Sequence, residues 1–205
     1  DWCSDVCSSD LPFRNAYGLC LFAGLREGEC LGLTWDCVDF DRGRITVRQQ
    51  LQKSRTESGT YRIVSSTKSG KVRVIEPPAV AFDYLRSERT RQVENRLRAG
   101  KLWDNAQDLV FTNPLGGHVV IETFRRNFKR LAASMGRPDL RPHDLRHTCA
   151  TVAIAAGADI KSVQSLMGHA TASFTLDVYA HTSETMMADT ASRMQSYYDN
   201  LAQRG

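Results

Sequence analysis

The 205-residue chain has no run of about eighteen apolar residues, so no membrane-crossing helix is expected. Its most apolar stretch, AYGLCLFAGL at residues 16–25, is short and is broken by Gly18 and Gly24. No secretory signal precedes that stretch. No internal repeat and no low-complexity segment occurs. Charge of one sign is not in large excess: 27 Lys and Arg stand against 23 Asp and Glu, a net +4. A phosphate-bearing partner is therefore permitted but not required. Paired CxxC spacing is missing among Cys20, Cys30, Cys37 and Cys149, which lie in apolar stretches. They read as reduced core residues of a cytosolic, cytoplasmic protein. What is present is an ordinary globular composition, 41% hydrophobic and 24% charged, long enough for one large domain or two small ones with a sizeable core.

The first eleven residues, DWCSDVCSSDL, read unlike the rest. They have no periodicity, are rich in Ser and Asp, and look like the translation of a sequencing-adapter tail. Residues 1–11, with Cys3 and Cys7, are set aside as a non-native or disordered tail.

Phe13 to Leu25 reads as a buried helix, and REGECLGLTW as a short second helix after a break at Gly24. DFDRGR is a turn. ITVRQQL, YRIVSST and VRVIEP read as strands, joined by the polar loop SRTESG and the tight turn TKSGK. Residues 44–77 are thus expected to form one small three-stranded antiparallel sheet. The remainder reads as mostly helical. Ala79 to Arg98 is a charged helix with Val80, Tyr84 and Leu85 inward. LVFTN is extended and PLGG a turn. Ile121 to Met135, His143 to Ala156 and IKSVQSLMGH, stopped by Gly168, are helices. FTLDVYAH and Thr182 to Ala202 complete the helical half. The fold class is α+β, mostly helical.

Several clusters carry possible chemistry, and each has a plain structural alternative. HDLRH places His143 and His147 at i and i+4, which suits two metal ligands, but Asp144 stands where a metalloprotease needs glutamate. No third ligand is evident nearby. Arg146 and His143, at i and i+3, can address one phosphate, the arginine as a fork and the histidine as donor or proton carrier. A capped helix start with solvated polar residues explains them as well. In GLREGE, Arg26 is positioned by the apolar helix before it and can pair with Glu29. Lys68 sits at a hairpin tip, where it can reach a phosphodiester or simply solubilise a turn. His169 follows Gly168, and Tyr179 comes ten residues later. A tyrosine is a nucleophile once deprotonated, or a half-buried hydrogen-bonded side chain. Arg125, Arg126, Lys129 and Arg130 make a basic helix face that is either a DNA-backbone contact or a solvated face.

Taken in order, GLR, hairpin TK, HxxR, GH and Tyr resemble the catalytic domain of tyrosine site-specific recombinases, the phage and transposon integrases and their chromosome-resolving relatives. The resemblance runs from about Phe13 to Tyr198. Its most specific part is LRPHDLRHTCAT followed by GADIKSVQSLMGHATASFTLDVYAH. It implies an integrase-like catalytic domain over residues 12–205. It implies that Arg26 and Arg146 clamp the scissile phosphate, that Lys68 protonates the leaving 5′-oxygen, and that His143 assists proton transfer. His169 would hydrogen-bond a phosphate oxygen, Tyr179 would form a 3′-phosphotyrosyl bond, and Glu29 would brace the site. It further implies double-stranded DNA as partner, a homo-tetramer on paired sites when full length, no cofactor, no metal and no membrane. A mobile element is the expected context. The N-terminal DNA-clamping domain of the family is missing from these residues, so weak DNA binding by the chain alone is expected. The alternatives are a catalytically inert DNA-binding remnant of the same fold, a metal-dependent hydrolase built on His143 and His147, and a related tyrosine-type topoisomerase.

Overall fold

The computed structural model describes residues 11–54, 61–65 and 72–168. Lys68, His169, Tyr179, the tail, the TKSGK turn, FTLDVYAH and the expected helix at 182–202 lie outside the described residues. The chain divides into two units, residues 1–149 and 150–205. Arg26, Glu29, Arg73, His143 and Arg146 belong to the first.

Helix α1 (Arg14–Ala23) is buried along nearly its whole length, and Gly24 ends it in the left-handed conformation at φ 63°. Only a residue without a Cβ takes that turn cheaply. The chain then re-enters α2 (Glu27–Leu31), a single turn whose N-cap is Arg26. A 3₁₀ turn at Trp35–Cys37 leads to β1 (Val38–Asp39). Strands β2 (Arg44–Val47), β3 (Gln49–Lys53), β4 (Tyr61–Ser65) and β5 (Arg73–Ile75) follow.

The sheet differs from the expected one. The run ITVRQQL is two strands, because the chain changes partner at Arg48. β2 pairs with β5 (Ile45 opposite Ile75, Val47 opposite Arg73) and with β1, giving the order β1-β2-β5. Among the described residues β3 pairs with β4 alone, Gln49 opposite Ser65 through Lys53 opposite Tyr61. Two antiparallel sheets therefore replace one, and the three-stranded one contains β1, which the sequence did not announce. Side-chain alternation on β5 also runs against hydrophobicity. Val72 and Val74 are 58% and 56% exposed, while Arg73 and Ile75 turn inward.

Helix α3 (Ala79–Ala99) packs on α1 through Ala81, Phe82, Tyr84 and Leu85, whereas Val80 is exposed. Further along, its buried stripe becomes polar. Glu88 accepts from Asn15 Nδ2 at 2.9 Å, and Gln92 Nε2 donates to the carbonyls of Leu109 and Val110 at 2.7 Å each. LVFTN is tied down by bridges from Thr34 to Leu109 and from Thr112 to His118. Helix α4 (Ile121–Ser134) buries Ile121, Phe124, Phe128, Leu131 and Ala132 on one side. The Tyr17 hydroxyl donates to the Phe124 carbonyl at 2.9 Å, which locks α4 to α1. Helix α5 (Pro142–Ala155) carries the HDLRH segment. Helix α6 (Ile160–Met167) is stopped by left-handed Gly168, as its sequence predicts, and the Asp159 carboxylate caps its start. Cys20, Cys30, Cys37 and Cys149 are buried thiols, and burial pushes the Cys149 thiol up to about 11.

The α1–α3 contact leaves no room at Gly18, where an added Cβ would stand 2.7 Å from the Tyr84 ring. That ring is hemmed in by Phe22, stacked at 5.8 Å, and by the Arg14 guanidinium at 5.6 Å. Gly18→Ala gains about 1 kcal/mol of helix propensity but meets an overpacking cost of about 1–3 kcal/mol. The expected outcome is a net loss of stability, seen as a lower urea midpoint with an unchanged m-value.

Candidate active site

Three remote segments converge on one carboxylate. Glu29, on α2, is only 1% exposed. Its Oε2 accepts the backbone N–H of Arg26 at 2.9 Å, and its Oε1 accepts Arg26 Nη1 at 2.9 Å. Arg73, delivered by β5, donates through Nη1 to Oε1 at 2.8 Å and through Nη2 to Oε2 at 2.7 Å. Arg146, on α5, places Nη1 3.8 Å from Oε2 and donates to the Gly24 carbonyl at 2.5 Å. The left-handed turn that ends α1 is thus also what aims a carbonyl at Arg146.

Arg146 is 2% exposed, an extreme burial for an arginine. Three guanidiniums against one carboxylate leave the cluster two charges positive. Burial lowers the Arg146 pKa to about 9, and the nearby Arg26 cation adds to the fall. Burial alone would raise the Glu29 carboxyl, but the Arg73 fork, then the Arg26 contacts, hold it at about 2. The cluster is charged at neutral pH and carries unbalanced positive charge. That is the electrostatic signature of an anion site.

His143 lies one turn before Arg146 and is exposed. Desolvation first, then the charges of Arg146 and Arg26, hold its imidazole below the usual range. It is therefore neutral at pH 7 and able to accept a proton. His147 is likewise lowered, by desolvation and then by His143. The two rings meet edge to face at 4.5 Å between centroids. Among the described residues no group of three His, Cys, Asp or Glu is placed to hold a metal ion.

Arg26 and His143 open onto a groove of about 380 Å³, lined also by Gln50, Lys53, Tyr61 and Arg125. Two carboxylates mark its edges. Glu27 takes the Arg125 fork, with Arg125 Nε at 3.0 Å from both oxygens. Glu122 pairs with Lys53 at 3.3 Å and accepts the Tyr61 hydroxyl. The basic face of α4 is exposed at Arg125, Arg126, Lys129 and Arg130, but Arg125 is also a tie between α4 and α2. Of the residues singled out in the sequence, Arg26, Glu29, His143 and Arg146 come together, while Lys68, His169 and Tyr179 lie outside the described residues. Arg73 was missed. Strand alternation sets it on the same side as Ile75, but hydrophobicity alone would have turned the flanking valines inward instead.

Removing the Glu29 charge has a signed consequence for stability. Its folded pKa of about 2 lies below the ordinary 4.5, so its contribution is fully present above about pH 4.5 and is lost as pH falls through about 2. The difference corresponds to about 3 kcal/mol. Glu29→Gln is expected to flatten the acid limb of a stability-versus-pH curve over that window, measured by urea unfolding.

Residues 3–186 match the model of the phage integrase family. A tyrosine recombinase XerC-like protein of Caldanaerobacter subterraneus subsp. tengcongensis is 30% identical over 178 residues, covering 82% of this chain and 44% of its own length. The transposase from transposon Tn916 of Enterococcus faecalis is 32% identical over 178 residues, 82% of this chain and 42% of its own. The chain therefore spans less than half the length of these relatives. The Tn1549 transposon integrase, in complex with transposon right end DNA, superposes with a TM-score of 0.74 at 25% identity over 94% of this chain and 63% of that one. With a family match over most of its length and a fold shared with a transposon integrase, the chain belongs to the phage integrase family, the tyrosine recombinases, whose members break and rejoin DNA.

Proposed function

We propose that this chain is the strand-cleaving part of a site-specific recombinase acting for a mobile element, with double-stranded DNA as substrate. The observation that carries the proposal is the buried, net-positive cluster of Arg26, Arg73 and Arg146 around Glu29, with His143 at its rim. Cleaving a phosphodiester builds negative charge on the nonbridging oxygens, and preorganised guanidiniums stabilise that charge. Arg26 and Arg146 hold the scissile phosphate. The Tyr179 oxygen attacks phosphorus, the bond to the 5′-oxygen breaks, and a 3′-phosphotyrosyl ester forms. His143 takes the tyrosine proton, Lys68 gives one to the leaving oxygen, and His169 donates to a phosphate oxygen. Attack by another strand's 5′-hydroxyl reverses the step, so the ester conserves the bond energy and no nucleotide is consumed. The exposed cations of α4 add salt-sensitive affinity for the DNA backbone. Paired DNA sites would be held by four copies of the whole protein.

The test is a covalent-adduct assay with nicked duplexes, run beside Tyr179→Phe and with non-covalent binding scored in the same tubes. The expected outcome is a denaturation-resistant protein–DNA species that disappears in Tyr179→Phe while duplex binding persists. Arg146→Ala should lower adduct yield by about 100-fold or more, the scale on which removal of a preorganised oxyanion partner acts. Duplex binding with no adduct would instead identify an inert DNA-binding remnant.

A further inference from the structure

Arg73 belongs to none of the motifs that marked the site, yet it makes the shortest contacts to Glu29, 2.8 and 2.7 Å. An ionised carboxylate offers about four acceptor positions. Here Arg73 fills two, and Arg26 fills two through its side chain and its backbone N–H. Arg146 stands just outside this set, 3.8 Å away, with its Nη1 directed to the Gly24 carbonyl. Arg73 does not line the groove on which Arg26 and His143 open. Its place is fixed by strand register, opposite Val47.

We propose that Arg73 is a positioning residue whose fork neutralises Glu29, so that the carboxylate braces Arg26 and Arg146 without capturing Arg146 in a closed ion pair. The proposal rests on Arg26 and Arg146 being the phosphate clamp. Without Arg73, Glu29, only 1% exposed, would lose two of its four donors. The nearest further cation is Arg146, and a shift of about 1 Å brings its Nη1 into hydrogen-bond range. Once closed, that pair turns one of the two clamp charges away from an incoming phosphate. The groups that face Glu29 are Arg26 before α2, Arg73 on β5, Arg146 on α5 and the Cys30 thiol beside it, and Arg73 is the strongest of the influences that keep the carboxyl ionised.

A mutant cycle tests this. Affinity for a nicked duplex at fixed salt, and adduct yield, are measured for the unmodified chain, Arg73→Gln, Glu29→Gln and the double variant, with folding followed by thermal unfolding. Arg73→Gln is expected to lose at least ~30-fold in affinity, as truncating one partner of a buried charge pair does. The double variant is expected to regain at least ~10-fold of that loss, because the carboxylate that captures Arg146 is gone. A merely architectural arginine gives the reverse order, with the double variant no better than the single one. That order, or an Arg73→Gln affinity equal to the unmodified chain's, overturns the proposal. Should Arg73→Gln not fold, Arg73→Lys, which keeps the charge and loses the fork, takes its place with a smaller loss of the same sign and the same rescue by Glu29→Gln. The cycle is also read on the thermal upshift that inorganic phosphate gives, which needs neither duplex nor strand cleavage. A chain that binds but forms no adduct therefore refutes the strand-cleavage function while the cycle still decides the role of Arg73.

Discussion

A carboxylate in a nearly dry place is costly unless its oxygens are saturated. Glu29 meets that demand with four close donors from two arginines, and a third arginine stands at 3.8 Å. Much of the local architecture follows from keeping this arrangement. The single-turn helix α2 presents Arg26 and Glu29 three residues apart, which closes their contact locally. β5 must pair with β2 in one register for Arg73 to arrive from the other side. α5 must begin at Pro142 for Arg146 to enter beside the Gly24 turn. The three contributions come from residues 26, 73 and 146, so only the folded chain assembles them.

The packing around this cluster serves as its support. Tyr17 ties α1 to α4 through a buried hydroxyl, and Gly18 lets α3 come close to α1. Gly32 does the same for α2 and β3, since a Cβ there would stand 2.6 Å from the Leu51 backbone nitrogen. Along α3 the buried polar side chains Glu88, Gln92 and Asn95 replace a hydrophobic stripe. Gln92 satisfies the carbonyls of Leu109 and Val110 in an extended segment, and it also accepts the Trp35 indole N–H at 3.0 Å. A helix with so charged a composition can be a core element because Glu88 and Gln92, on its inward side, find mates.

Local signals made most of the helices and the GLREGE and HDLRH segments legible. Gly24 and Gly168 mark ends that only a left-handed residue closes neatly, and both do so. The short i,i+3 spacing of Arg26 and Glu29 announced their pairing, and the order of motifs announced the family. What stayed hidden depended on partner choice across the chain. Nothing in ITVRQQL marks Arg48 as the point where one strand partner is exchanged for another. Nothing in VRVIEP says that the arginine, not the valines, faces inward. That decision is made by Glu29, 44 residues earlier in the chain, which repays the burial of Arg73 with two charge-assisted hydrogen bonds.

The choice of arginine over lysine at position 146 follows from the same physics. The surroundings lower the Arg146 pKa from 12.5 to about 9. At neutral pH the side chain still carries its charge, because arginine begins with so high a value. A lysine starts lower and would be pushed in the same direction, so it would keep less of its charge at neutral pH. It would also lack the planar fork that reaches the Gly24 carbonyl and the Glu29 carboxylate from one side chain. A place this dry and this positive therefore selects the one side chain whose charge survives burial.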